Sequence, residues 1–228
     1  MSRRRALGLL SLSAAALAGG GLAPPALHAA GADAARPDVR TPDEALAELM
    51  AGNRRFVDGR PVGPHRTMAR VREVSGSQSP FAAVLACADS RVPVEILFDQ
   101  GFGDLFVCRA AGNIVTPELI GSLEFGTMVL GAQAVVVLGH TGCGAVKATI
   151  DGGAVPGQIS TLYRHIRPAV DRSATRELED VARENVRVQA GLLRTASPVV
   201  AQLVRERRLV VAGGVYDLAT GHVTLLEA

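Results

Sequence analysis

Four short apolar runs fix the kind of fold this chain can adopt. Residues 81–86 (Phe-Ala-Ala-Val-Leu-Ala), 105–109 (Leu-Phe-Val-Cys-Arg), 134–138 (Ala-Val-Val-Val-Leu) and 209–212 (Leu-Val-Val-Ala) each have the length of a buried strand. Helical spacing fills the stretches between them. Apolar runs without polar alternation belong in a parallel sheet covered on both faces. The chain therefore reads as an α/β fold, with a mainly parallel central sheet, helices on both faces and a C-terminal antiparallel edge strand, in a single domain. That edge strand is residues 223–226, reached from 216–218 through the turn Ala219-Thr220-Gly221.

The helices carry their own signals. Thr41-Pro42-Asp43-Glu44 is a capping box with Pro at the first helical position, and Leu46, Leu49, Met50 and Phe56 follow at helical spacing up to Gly59. A short helix is expected near 68–74 and a helical turn or two at 93–98. Thr116-Pro117-Glu118 caps a helix running to about Leu130. Further helices are expected at 144–150, 158–170, 175–195 and 198–206. The arginines of 175–195 read as a solvated face.

The N-terminus reads differently. Arg3-Arg4-Arg5 precedes an Ala/Leu/Gly-rich run to about Ala23, and Ala30-Gly31-Ala32 offers a cleavage site, so residues 1–32 read as a signal peptide. Residues 33–40 form a linker and 41–228 the domain. Ser2-Arg3-Arg4 resembles a twin-arginine export signal, with Ala6 and Gly8 departing from its pattern. The protein is thus expected to be exported to the periplasm, with no stable membrane span after cleavage. Without those three arginines, 21 basic residues face 22 acidic ones, which argues against a nucleic-acid partner.

Two clusters carry the chemistry. Cys87-Ala88-Asp89-Ser90-Arg91 follows the first strand, and Gly139-His140-Thr141-Gly142-Cys143-Gly144 follows the third. Both lie at carboxyl ends of parallel strands, where open α/β sheets bind ligands. Two thiolates and an imidazole suit Zn²⁺ and leave a tetrahedral ion one open position for water. A closed structural zinc site with Asp89 as permanent fourth ligand competes with this, as do cysteines that bind no metal. Arg91 argues for the open site, because its guanidinium can hold Asp89 off the metal. Cys108, inside a strand, reads as a small buried hydrophobe. His65, His165 and His222 read as surface or satisfied residues.

With these motifs, and with Gln78-Ser79-Pro80, Arg109 and Asn113, Ser122-Leu123-Glu124-Phe125 and Gly214-Val215-Tyr216-Asp217 in order, the chain resembles β-class carbonic anhydrases from about residue 42 onward. The resemblance implies one zinc per subunit on Cys87, His140 and Cys143, and reversible hydration of carbon dioxide to bicarbonate and a proton. It implies a dyad in which Asp89, held by Arg91, accepts a hydrogen bond from the hydroxide, with Asp89 joining the metal only in a closed, low-pH form. It gives Gln78, Phe106, Phe125 and the Gly144 N–H roles in binding substrate. Because the Phe106 wall is usually supplied across a dimer interface, it implies a homodimer or homotetramer.

Phe125 stands where the family has Tyr, and Ala111 where it has a bulkier side chain, so a CO₂ analogue such as carbonyl sulfide or carbon disulfide is an alternative substrate. A zinc-binding module without catalysis is the other alternative. The chain has no Trp, which the family's bicarbonate-inhibited members use, so an open site at neutral pH is expected.

Overall fold

The computed structural model of the chain describes residues 39–227. The expected signal peptide, 1–32, and most of the expected linker, 33–40, lie outside the described residues. Helix α1 (Pro42–Val57) begins with both halves of the capping box: Glu44 N–H donates to Thr41 Oγ1 at 3.2 Å, and Thr41 N–H donates to Glu44 Oε2 at 3.0 Å. Then come α2 (Met68–Glu73), β1 (Ala82–Ala86), the single turn α3 (Val94–Leu97) and β2 (Leu105–Arg109). Helix α4 (Pro117–Glu124) continues into a π-helical segment, Phe125–Val129. Next are β3 (Ala134–His140), α5 (Gly144–Asp151), α6 (Tyr163–Arg172), α7 (Leu178–Ala196), α8 (Pro198–Arg205), β4 (Val210–Tyr216) and β5 (Val223–Leu226).

The sheet order is β2-β1-β3-β4-β5, with only the β4–β5 pair antiparallel. The α/β architecture expected from the apolar runs is therefore present. Every residue of β1 and β3 is buried, because helices cover both faces. On one face Ala83, Leu85, Val135 and Val137 pack with Val186, Ala190 and Leu193 of α7 and Leu203 of α8. On the other, Ala82, Val84, Val136 and Leu138 pack with Ala45 and Leu49 of α1 and Leu97 of α3. Burying such side chains stabilises the fold by roughly 1.5–3 kcal/mol each. Among the described residues no helix is long and apolar enough to cross a membrane.

Several expected boundaries shift, each for a local reason. Thr116 precedes α4, but its hydroxyl donates to the Glu118 carboxylate at 2.8 Å rather than accepting from a helical N–H. The helix expected from 158 opens with a 3₁₀ turn, Ile159–Leu162, and the one expected from 175 starts at Leu178. Strand β4 does not stop at Ala212. It runs on through Gly213 and Gly214, and Gly213 lets α7 come close: a Cβ there would stand 2.8 Å from Val186 Cγ1. Of the arginines expected on a solvated face, Arg194 instead donates to the Val211 carbonyl at 2.6 Å.

Candidate metal centre

The chain leaves β1 toward β2 on one side, while β3 lies on the other side of β1, so the strand order reverses between β1 and β3. Cys87 directly follows β1, and β3 ends on His140, at the same edge of the sheet. Cys143, three residues on, is the N-cap of α5. The ligand atoms of Cys87, His140 and Cys143 all lie within 4.8 Å of one another, and all three residues are buried. The two sulfurs are 4.0 Å apart. Two thiolates on a tetrahedral zinc, with bonds of about 2.3 Å, stand about 3.8 Å apart.

The imidazole is oriented for the same point. His140 Nδ1 lies 2.8 Å from the Thr141 carbonyl, and only an N–H can donate there. Nε2 therefore carries the lone pair, and it is buried with no hydrogen-bond partner. Such an orphan acceptor is costly unless something binds it. The donor set of two sulfurs and one imidazole nitrogen suits a borderline or soft divalent ion such as zinc.

Electrostatics agree. The Cys87 thiol is held well below its ordinary pKa, chiefly by its hydrogen bond with Cys143, then by His140 and the backbone N–H groups of Gly112 and Asp89, against the opposing effect of burial. Cys143 is pushed up by that same Cys87 contact and by burial. Thiol ligands give up their protons when they bind a divalent cation. Burial lowers the pKa of His140, but the contact with Cys87 and its charge outweigh this and leave it raised.

Asp89 stands beside the triad and outside it. Its Oδ2 is 3.8 Å from His140 Nε2. Arg91 holds both carboxylate oxygens, Nε to Oδ1 at 2.9 Å and Nη2 to Oδ2 at 2.8 Å, and the Arg91 N–H adds a third bond at 2.9 Å. This grip keeps the carboxyl far below the usual carboxylate range, the Arg91 side chain being the largest cause. Asp89 is thus ionised and turned to Arg91.

Other groups fix the loops. Arg109 donates from Nε and Nη2 to the Cys87 carbonyl, at 3.0 and 2.9 Å, and from Nη2 to the Asp89 carbonyl at 2.6 Å. Gly142 N–H donates to Glu179 Oε1 at 3.1 Å, and Leu218 N–H to Thr141 Oγ1 at 3.0 Å. Gly112, at φ 74°, aims its N–H at Cys87 Sγ, 3.3 Å away. Asp217 accepts from the N–H groups of Ala219 and Thr220, which makes it a turn residue. His65 pairs with Asp104 at 2.7 Å.

The substrate-binding residues expected from the sequence divide. Gly144 opens α5 next to Cys143, where first-turn N–H groups lack helical partners. Gln78, Phe106 and Phe125 lie elsewhere. Gln78 is exposed in the coil before β1. Phe106 is the second residue of β2 and pairs in register with Ala83, and the Phe125 ring is 6.4 Å from the Phe106 ring. From Ala83 to Cys87 the strand advances four residues, about 13 Å at about 3.3 Å per residue. Within one chain Phe106 therefore stands well away from the metal centre, and a place beside the substrate requires the second copy that the resemblance implies.

The carbonic anhydrase family profile matches residues 82–223, from the first residue of β1 to the first of β5, so both ligand loops lie inside the match. The carbonic anhydrase of Mycolicibacterium smegmatis is 37% identical over 191 residues, covering 81% of this chain and 93% of that protein. Carbonic anhydrase 2 of Mycobacterium tuberculosis is 34% identical over 193 residues, covering 82% and 93%. The chain belongs to the β-carbonic anhydrase family. Among solved structures, the Coccomyxa β-carbonic anhydrase in complex with acetazolamide superposes with a TM-score of 0.63 at 30% identity, over 79% of this chain and 86% of that one. As a member of this family the chain is an enzyme of the lyase class.

Sequence reasoning missed four residues that shape the site: Gly112, Glu179, Asn185 and Gln189. The last two, four positions apart on α7 and fully buried, left one signal, namely two amides on the apolar stripe of an amphipathic helix.

Proposed function

We propose that the chain binds one zinc ion per subunit through Cys87, His140 and Cys143 and catalyses the reversible hydration of carbon dioxide to bicarbonate and a proton. The observation that carries this is the convergence of three buried ligand atoms within 4.8 Å, beside an ionised carboxylate locked by Arg91. Zinc at this point supplies a Lewis acid that lowers the pKa of water from about 15.7 to about 7. The protein supplies orientation. Asp89, ionised and an acceptor only, would take a hydrogen bond from the oxygen nucleophile and so orient it toward carbon dioxide. Arg91 keeps that carboxylate ionised and off the metal. Gly144 N–H offers a donor to an oxygen of the product.

The walls of the substrate pocket come from a second copy. Phe125, Met128 and Val129 are exposed at 47%, 44% and 65%, and the Phe125 ring lies 6.4 Å from that of Phe106 on the edge strand β2. An apolar patch next to an edge strand is a docking surface in waiting. A homodimer, or a homotetramer built from it, carries Gln78, Phe106 and Phe125 of one copy to the metal of its partner. We further propose that residues 1–32 export the protein to the periplasm by the twin-arginine route, which carries folded proteins. Cell fractionation with Arg3 and Arg4 both changed to Lys tests it, and export that depends on the Sec machinery alone would count against it.

The central test is stopped-flow hydration of carbon dioxide by the purified protein, before and after chelation and after zinc is returned, with carbonyl sulfide assayed alongside. Activity is lost on chelation and restored by zinc, and Asp89→Ala lowers kcat by at least about 10²-fold. A protein that carries no stoichiometric metal, or hydrates carbon dioxide equally well without it, overturns the proposal.

A further inference from the structure

The metal-facing sulfur of Cys87 is the end point of a buried polar chain that begins at the His165 carbonyl of α6 and passes through α7. Gln189 and Asn185 of α7 are fully buried. Gln189 Nε2 donates to the His165 carbonyl of α6 at 2.8 Å and to Asn185 Oδ1 at 3.1 Å, and its Oε1 accepts from Val115 N–H at 2.8 Å. Asn185 Nδ2 donates to the Gly112 carbonyl at 2.8 Å. Gly112 N–H then donates to Cys87 Sγ at 3.3 Å.

Two amides with no exposure are retained at a desolvation cost that packed apolar side chains would avoid. Each is instead bonded, and the bonds converge on one short segment, Gly112 to Val115, which they hold at both ends. Gly112 needs such holding. It sits at φ 74° against Ile166 and Ala145, where an added Cβ would meet Ile166 Cδ1 at 2.7 Å. Its N–H faces the sulfur only while that conformation persists. An N–H donor on a metal-ligand thiolate orients the sulfur and stabilises its negative charge, and removing support of this kind typically weakens metal binding by about 10–100-fold.

We infer that Asn185, backed by Gln189, is a positioning residue for the metal centre: it fixes Gly112 so that the Gly112 N–H orients the Cys87 thiolate toward the ion. This rests on the zinc reading given above. Asn185 touches neither the ion nor the substrate and acts only through Gly112.

The test compares the full chain with Asn185→Leu, which keeps the bulk and removes the donor, and with Ser197→Ala. Ser197 is a fully buried residue that bonds Glu124 at 2.6 Å and serves as a control for general destabilisation. Zinc dissociation constants are measured by competition with a chromophoric chelator, and the thiolate-to-metal charge-transfer band is recorded on the cobalt-substituted proteins. Asn185→Leu binds zinc about 10–100-fold more weakly and shifts the band, while Ser197→Ala loses thermal stability and changes neither. Should Asn185→Leu not fold, Asn185→Ser makes the same comparison. Unchanged affinity and an unchanged band overturn the inference. So does a position at which no variant folds, since Asn185 is then a folding requirement. A wild type that binds no zinc defeats the zinc reading itself, whereas a wild type and variant that bind equally defeat only the role of Asn185.

Discussion

The three cysteines differ in what surrounds the sulfur, and their chemistry differs accordingly. Cys87 and Cys143 meet at 4.0 Å with an imidazole and backbone N–H donors around them. Cys108 lies in the core beneath α7, among Leu85, Val115 and Leu123, and burial alone pushes its thiol up. It stays protonated at neutral pH and unreactive. Iodoacetamide at pH 7 therefore leaves Cys108 unmodified in the folded chain, and after chelation Cys87, whose thiol is held below its ordinary pKa, is the first cysteine to react; mass spectrometry of the peptides checks both. The ligand triad was legible in the sequence because a metal site is stated in residue types and strand ends. The buried amides of α7 were not, since Asn185 and Gln189 acquire meaning only from the loop that lands on them.

At the scale of elements, a carboxylate and two glycines make predictions. Backbone N–H groups at residues 40 and 41 donate to Glu44 and hold its pKa below the ordinary value, the Arg40 N–H contributing most. A lowered folded-state pKa means stability that is present above the unfolded value, near 4.5, and lost as pH falls through the folded value. Thermal melts of Glu44→Gln therefore show a deficit at pH 7 that closes on acidification, while Thr41→Ala costs about 1 kcal/mol at pH 7.

On the sheet, Val186 of α7 presses on both Gly139 and Gly213, and a Cβ on Gly139 would stand 2.5 Å from Val186 Cγ2. Gly139→Ala destabilises by about 1–3 kcal/mol in denaturant unfolding, and combining it with Val186→Ala recovers part of that loss. The same packing explains one misjudged boundary. Paired glycines in β4 read as a strand end, because the sequence does not show the helix that needs the space. The change from α4 to a π segment at Phe125 places Gly126 against the Phe106 ring, a contact absent from any local pattern.

At the scale of the molecule, strand order turned two sequence motifs into one site, and neighbouring β1 and β3 was the arrangement the motifs required. The apolar runs and their spacing made the sheet legible. Which edge Phe106 occupies was not, because a strand's residues are read before its register is known. That register yields a complementation test. Chains carrying Cys87→Ser keep the walls and lose the metal, and chains carrying Phe106→Ala do the reverse. Mixed after dissociation and reassociation, the two nearly inactive proteins recover roughly a quarter of wild-type sites, because in a two-fold assembly half the dimers are hybrids with one intact site each. No recovery on mixing would place both elements within a single chain.

The separation of Cys87, at the end of β1, from Phe106, at the start of the neighbouring β2, also changes what counts as a remote position. If the proposed dimer forms, a substitution at the start of β2 leaves the metal centre of its own copy untouched and is felt in that of the partner. In the proposed dimer, exposed residues such as Met128 and Val129 would then be felt in a reaction that takes place in the other copy.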